Sequence, residues 1–170
     1  MKAVLFPSPG KVELTEKEIP ALGADEVLLK INYIGICGTD LSTFRGANPL
    51  VAYPVIPGHE ISAVVVETGS QVPEFIKKGM LATANPYTHC GNCPSCKRRR
   101  YNACQYNETM GVQRNGAMQQ FIVLPWTKLL MNEKLNKEQL ALVEPLSVGF
   151  HAVERGSVTD IDTVLVIGCG

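Results

Sequence analysis

The sequence predicts a mainly β fold, built as a barrel and followed by a helix and one further strand. Its first part consists of short apolar runs, several alternating with polar residues, separated by turns rich in glycine and proline. This pattern is typical of a β-barrel and not of a helical bundle. A chain of 170 residues is long enough for one domain with a core, or for one domain and part of a second.

The N-terminal part predicts three strands and a short helix. Residues 3–6 form a strand that the turn at 7–10 returns into the alternating residues 12–18. Residues 26–35 alternate again and end in a bend flanked by glycines. Asp40 is placed to cap a helix over residues 41–45.

The centre predicts further strands, and the C-terminal part then changes to helix. The strands are expected at residues 60–67, 80–84, 117–124 and 128–131. Asn136 is a suitable N-cap for a helical turn through Ala141. Pro145 fits the first turn of a helix that runs to Arg155, and Gly156 is a natural stop for it.

Composition argues against several classes of partner. The chain has 16 basic and 16 acidic residues, so no net field recruits nucleic acid or an anionic membrane. The apolar runs are strand-sized, and the N-terminus has no stretch long enough for a secretory signal. Most of the six cysteines lie in a metal-like cluster, which favours a reducing compartment. We therefore expect a cytoplasmic protein that binds neither nucleic acid nor a membrane.

The strongest motif is a cysteine cluster with the pattern Cys-x2-Cys-x2-Cys-x7-Cys. Its members are Cys90, Cys93, Cys96 and Cys104. Two-residue gaps let successive thiolates wrap one metal ion, and four thiolates close a tetrahedral zinc site with no open position. We therefore predict a structural zinc ion here; an iron–sulfur cluster is the alternative.

A run of four cations at residues 97–100 follows directly. It has two interpretations: a nucleic-acid contact beside a zinc lobe, or a solvated run that offsets the negative charge of the thiolates. The balanced charge of the chain and the lack of interleaved aromatic residues favour the second.

A second group of possible ligands is spread along the chain. Cys37, His59 and Glu60 offer a thiolate, an imidazole and a carboxylate, a set that suits Zn²⁺ better than Mg²⁺ or Ca²⁺. Glu144 could complete the same site. A single His or Cys in an apolar neighbourhood is more often plain packing. The neighbouring glycines, however, let the backbone bend to present these side chains.

Taken together, these residues resemble the zinc-dependent medium-chain dehydrogenases, the alcohol, sorbitol and threonine dehydrogenase family. The resemblance rests on the cysteine cluster and on three segments, Gly35-Ile36-Cys37-Gly38-Thr39-Asp40, Gly58-His59-Glu60, and Glu144-Pro145-Leu146-Ser147-Val148-Gly149 with His151. The last segment is more similar to the sorbitol and sugar-acid dehydrogenase branch than to classical alcohol dehydrogenases. The resemblance implies a GroES-like β-barrel with a zinc lobe, followed by a linking helix and the first strand of a Rossmann domain.

The resemblance also implies roles for individual residues. Cys37 and His59 would bind a catalytic zinc ion, with the remaining places shared among Glu60, Glu144 and a water or substrate oxygen. Neighbouring strand residues face opposite sides, so His59 and Glu60 both reach one metal only if the backbone is irregular there. Thr39 would accept the proton of the substrate hydroxyl and pass it on. Hydride would go to NAD or NADP.

The C-terminal residues resemble the start of a nucleotide-binding domain. Residues 164–167 are apolar and β-branched, which predicts a buried strand, and Gly168 and Gly170 would be the first cofactor-binding glycines. We therefore divide the chain into a catalytic domain at 1–145, with its zinc lobe at 86–106, and an incomplete domain at 146–170. The chain is expected to be an inactive fragment of a homo-oligomeric enzyme that oxidises a polyol, a sugar acid or a related secondary alcohol.

One departure from the family and two rival functions stand beside this interpretation. Ser42 occupies a position where several relatives have a His that relays the proton, so the proton exit route and a threonine substrate are in doubt. The first rival is a non-enzymatic, zinc-stabilised module that binds nucleic acid through residues 98–100. The second is a scaffold that has lost activity, against which the intact Cys37, Thr39, His59 and Glu144 argue.

Overall fold

The computed structural model of the chain describes residues 1–168. Two antiparallel sheets form its centre. The strands are β1 (Lys2–Leu5), β2 (Glu13–Glu16), β3 (Glu26–Gly35), β4 (Glu60–Thr68), β5 (Leu81–Ala84), β6 (Phe121–Pro125) and β7 (Leu129–Met131). The larger sheet has the order β6-β3-β4-β5-β7, and β1 pairs with β2 in the smaller one. The mainly β architecture that the sequence predicts is confirmed.

Four α-helices accompany the sheets in the described part of the chain. They are α1 (Gly38–Phe44), α2 (Pro94–Lys97), α3 (Lys137–Ala141) and α4 (Val143–Arg155). Asn136 caps α3 as predicted, because its side chain accepts a hydrogen bond from the Gln139 N–H at 2.8 Å. Pro145 lies in the first turn of α4, which ends at Arg155 with Gly156 as C-cap. Helix α3 packs against β3, β4 and β5.

The core lies between the large sheet and the segments that cross it. It is built from alternate residues of the strands, together with apolar residues of the connecting loops: Val27, Leu29, Ile61, Ala63, Val65, Ile76, Ala84, Met110, Ala117, Ile122 and Leu124. In β3 the alternation marks the face that packs into the core, with Val27 and Leu29, although Leu28 on the opposite face is buried as well. The side chains of α4 are mostly exposed, including Leu146 and Phe150.

Three sequence predictions are wrong in detail. Residues 117–120 are not strand, because the N–H groups of Ala117 and Met118 bond the irregular segment before β4, at Gly58 O and Pro57 O. The strand expected to begin at residue 128 begins at Leu129, after a 3₁₀ turn at Trp126–Lys128. Helix α1 begins three residues earlier than expected, with Cys37 as N-cap and Asp40 as its third residue.

The strand expected at residues 164–167 is also not formed in the described chain. These residues have no regular secondary structure, and Leu165 and Ile167 are 84% and 90% exposed. A strand needs a neighbouring strand to which its backbone can hydrogen-bond. Within residues 1–168 no strand pairs with residues 164–167. Cys169 and Gly170 lie outside the described residues.

Candidate metal centres

The four cysteines of the lobe converge on one point. Their sulfur atoms all lie within 4.8 Å of one another, and none of the four forms a disulfide. The Cys104 sulfur lies 3.6 Å from that of Cys90 and 3.9 Å from that of Cys93. Metal–sulfur bonds of ~2.3 Å in a tetrahedron place sulfurs about 3.8 Å apart, so the donor set fits a zinc ion.

Backbone N–H groups of the lobe point at these sulfurs. The N–H of Cys93 approaches the Cys90 sulfur at 3.4 Å, and those of Cys90 and Tyr106 approach the Cys104 sulfur at 3.3 and 3.4 Å. Such donors stabilise negative charge on sulfur. The lobe therefore stabilises thiolates through its own main chain.

The hydrogen bonds and the burial act in opposite directions on the thiol pKa values. Backbone N–H groups of Cys96 and Gln105 lower the pKa of Cys93 to about 6. Burial raises the pKa of Cys96 to about 12. A cation bound among the sulfurs would hold every thiol in its deprotonated form.

A second cluster combines Cys37, His59 and Glu60. One ligand atom of each lies within 4.8 Å of the others. His59 and Glu60 are buried, whereas Cys37 is half-buried. Cys37 lies directly before α1, and His59 and Glu60 lie where β4 begins. The cluster therefore joins the ends of the paired strands β3 and β4. The structure thus brings together three of the residues that the sequence singles out.

Two glycines make room for this arrangement. Gly58 has φ +96°, and a Cβ there would lie 2.3 Å from Ile34 Cδ1. This irregular backbone directly before β4 lets the consecutive His59 and Glu60 both face the same point. Gly35 pairs with Glu60, and a Cβ at Gly35 would lie 2.1 Å from Glu60 Oε2.

Asp40 ties the two segments together. Its carboxylate accepts hydrogen bonds from the N–H of Cys37 at 2.9 Å and from the N–H of Gly58 at 3.0 Å, and the residue is 2% exposed. Its Oδ1 also lies 3.9 Å from His59 Nδ1. From the sequence, Asp40 is predicted only to cap a helix. Its place at the third position of α1 indicates the contact to the Cys37 N–H. Nothing in the sequence indicates the contact to the Gly58 N–H.

The ring of His59 supplies a test of whether a metal fits. Its Nδ1 is buried and has no hydrogen-bond partner among the described residues. A buried polar atom without a partner is costly, so a further ligand near the ring is favoured. With the sulfur and carboxylate beside it, the donor set matches the preferences of zinc.

The structure places the other predicted site residues around this cluster. Thr39 is half-buried in the first turn of α1. Glu144 is not part of the three-residue cluster; its Oε1 accepts a long hydrogen bond of 3.4 Å from the Tyr87 hydroxyl. Burial, and then the negative charge of Glu144, raise the pKa of Tyr87, which keeps that hydroxyl protonated. Gly168 has φ +91°, and Gly170 lies outside the described residues.

The cationic run at residues 97–100 is exposed. Arg99 adopts φ +58°, a left-handed conformation that is unfavourable for a side chain with a Cβ.

Among residues 1–168, no helix has the length and apolar character that a membrane span requires.

Comparison with known proteins supports the assignment of this chain to the dehydrogenase family that its sequence resembles. The family model described as "Alcohol dehydrogenase GroES-like domain" matches residues 23–134. The chain is 33% identical over 170 residues to L-galactonate-5-dehydrogenase of Escherichia coli (strain K12), covering all of this chain and 50% of that protein. It is 35% identical over 177 residues to sorbitol dehydrogenase of Bacillus subtilis (strain 168), covering all of this chain and 49% of that protein.

Solved structures give the same result. The galactitol-1-phosphate dehydrogenase of Escherichia coli superposes with a TM-score of 0.85 at 31% identity, covering 92% of this chain and 45% of that one. A zinc-binding dehydrogenase of Sinorhizobium meliloti 1021 bound to NADP gives 0.84 at 34% identity, covering 91% and 45%. The chain spans about half the length of the curated relatives it matches. It belongs to the zinc-dependent medium-chain dehydrogenase family, through the GroES-like domain of the alcohol dehydrogenases.

Proposed function

We propose that this chain forms the metal-binding half of a zinc-dependent NAD(P) dehydrogenase that oxidises a secondary alcohol, in a polyol or a sugar acid, to a ketone. The observation that supports it most is the convergence of Cys37, His59 and Glu60 beside a separate cysteine lobe. The relatives named as sorbitol and L-galactonate dehydrogenases support this substrate class.

In this proposal Cys37, His59 and Glu60 hold the catalytic zinc. Glu144 is a further candidate ligand from the family resemblance; in the structure its carboxylate bonds the Tyr87 hydroxyl. Zinc bound there supplies a Lewis acid, which lowers the pKa of an alcohol hydroxyl. The four lobe cysteines hold a second, structural zinc in a closed site.

The residues of the chain position the substrate and move its proton. Thr39, two residues after Cys37, relays the proton of the substrate hydroxyl: its hydroxyl oxygen accepts that proton while its own hydroxyl proton passes on to water. Asp40 holds the Cys37 and Gly58 segments at a fixed separation through its two backbone hydrogen bonds. The metal ligands then have little freedom to move apart.

The nicotinamide cofactor, NAD or NADP, accepts the hydride in this proposal. Gly168 and Gly170 would be the first glycines of its binding turn, in a domain that begins at 146, whereas 1–145 forms the catalytic domain with its lobe at 86–106. The grip on a pyrophosphate also needs a helix N-terminus behind the glycines. We therefore expect these 170 residues alone to bind no dinucleotide and to turn nothing over, and the whole enzyme to work as a cytoplasmic homo-oligomer.

The Thr39 substitution tests the proposed chemistry in the full-length enzyme. Thr39→Val should keep the zinc and slow the oxidation of a secondary alcohol by about 10²- to 10⁴-fold, the usual effect of a positioned proton acceptor. Thr39→Ser retains the hydroxyl and should retain most of the rate. A Thr39→Val enzyme as fast as the wild type would refute the relay.

A further inference from the structure

A cavity of about 600 Å³ lies between the cysteine lobe, the 3₁₀ turn at Trp126–Lys128 and helix α4. Much of its lining consists of amide and hydroxyl side chains: Asn85, Thr88, Asn102, Asn107, Thr127 and Ser147. Such groups both donate and accept hydrogen bonds, as the hydroxyls of a sugar-like molecule do. The cavity is therefore suited to a polyhydroxylated ligand.

The cavity is connected to the proposed catalytic site through the candidate ligand Glu144. Glu144 lines it, and so does Tyr87, whose hydroxyl bonds the Glu144 carboxylate at 3.4 Å. A ligand with one carbon at Glu144 can therefore extend its remaining carbons along the cavity.

The lining of the cavity also includes Lys128, which is half-buried. Its Nζ donates to the Tyr87 carbonyl oxygen at 2.6 Å and lies 3.4 Å from His89 Nδ1. An ammonium group has three donors, so one of them stays available. Within residues 1–168 no carboxylate lies within ion-pair distance of this Nζ.

A second cation stands beside the first. The half-buried Arg114 shares with Lys128 a small space lined also by Pro86 and Tyr87. Burial, and then the positive charge of Arg114, lower the pKa of Lys128. Two cations held close together without an acidic partner repel each other, and an anion placed next to them removes that repulsion.

We propose that the cavity binds an anionic polyol, a phosphate monoester or a sugar-acid carboxylate, with its anionic group at Lys128 and a secondary hydroxyl next to Glu144. This inference rests on the proposed function for the identity of the reacting end. The anionic end rests on Lys128 and Arg114, neither of which has an acidic partner within ion-pair distance among residues 1–168. A neutral polyol leaves that end unsatisfied, so the charge at Lys128 selects the substrate.

Binding titrations of the zinc-loaded chain test the proposal without cofactor or turnover. Three probes of similar length are compared by NMR chemical shifts: sorbitol 6-phosphate, gluconate and neutral sorbitol. At least one anion should bind about tenfold or more tightly than sorbitol. The anion that binds better identifies the group, phosphate or carboxylate. Equal binding of all three, or no binding of either anion up to millimolar concentrations, would overturn the proposal.

Matched variants separate the anion site from other roles of the lysine. Lys128→Gln should reduce the affinity for the preferred anion to about that for sorbitol, while the lobe keeps its zinc. The control is Lys78→Gln, at an exposed lysine outside this cavity, which should change neither the anion affinity nor the zinc content. An unchanged preference in Lys128→Gln would refute the assignment. His59→Ala removes the proposed catalytic metal but should keep the preference, so failure of the proposed function and failure of the anion site give different results.

Discussion

The cysteine lobe takes its four sulfur ligands from one stretch, Cys90 to Cys104, whereas the second cluster joins Cys37 to His59 and Glu60 from two separate segments. The lobe has little apolar material of its own, since its buried cluster consists of the cysteines themselves. The second cluster lies against the sheet, next to the paired ends of β3 and β4. We therefore expect the lobe to need its metal in order to fold, and the second cluster to need the fold in order to hold a metal.

Loss of a lobe ligand should have the largest effect. Cys93→Ala opens a closed thiolate site whose metal binding is coupled to local folding, with free energies on the order of 10 kcal/mol in small zinc domains. We expect residues 88–106 to lose protection from hydrogen exchange while β3 and β4 keep theirs. Ser95→Ala, in the same helix α2, is the control and should leave the lobe protected. An ordered lobe in Cys93→Ala would show that the metal does not support it.

Loss of the link that Asp40 makes between the Cys37 and Gly58 segments should have the next largest effect. Asp40→Ala leaves the buried N–H groups of Cys37 and Gly58 without their acceptor, at about 1–3 kcal/mol each. Urea unfolding should show a free energy lower by about 2–5 kcal/mol. Metal at Cys37 and His59 should be held more weakly, whereas the lobe metal stays. The exposed Asp25→Ala serves as control, and an equal effect of the two substitutions would contradict the linking role.

Two glycines that flank Cys37 give a matched comparison of smaller size. Gly35→Ala places a Cβ 2.1 Å from Glu60 Oε2 and 2.9 Å from Glu60 Cβ, so Glu60 must move, at about 1–3 kcal/mol. Gly38→Ala meets nothing within 4 Å and starts a helix, so stability should stay or rise by up to about 1 kcal/mol. A chelator titration should release zinc from Gly35→Ala first. Equal zinc affinity in both variants would argue that Glu60 does not contribute to the metal site.

The smallest effect is expected inside the lobe, at Arg99. Because its φ is +58°, Arg99→Gly should relieve about 1 kcal/mol of backbone strain. Arg98 has φ −93°, so Arg98→Gly gains no such relief and should loosen the lobe slightly. The rate of zinc release to a chelator measures both. Faster release from Arg99→Gly than from the wild type would show that the arginine itself stabilises the turn.

The same contrast explains what could be predicted from the sequence. The lobe ligands are close in the chain, so their spacing alone indicates a metal site, and the structure brings the four sulfurs together. The strand alternation of β3 follows from the face that packs into the core. For Cys37, His59 and Glu60 the residue types indicate a possible zinc site, but their spacing along the chain does not, because its geometry depends on long-range contacts.

The failures have the same origin. The roles of Asp40 at Gly58 and of Lys128 beside Arg114 depend on residues far apart in the chain, which no periodicity reports. Residues 117–120 have the apolar character of a strand but bond the irregular segment at Pro57 and Gly58. Residues 164–167 have strong β propensity, yet a strand forms only beside a partner, and none pairs with them in the described chain.

Zinc content tests the central claim, two independent metal sites, most directly. After saturation with zinc and removal of the excess, the wild-type chain should carry two zinc ions, and His59→Ala and Cys93→Ala one each. A chelator should remove the zinc at Cys37 and His59 before the lobe zinc, because that site has one thiolate and the lobe has four. A wild-type chain with a single zinc, lost in Cys93→Ala and fully retained in His59→Ala, would contradict the account.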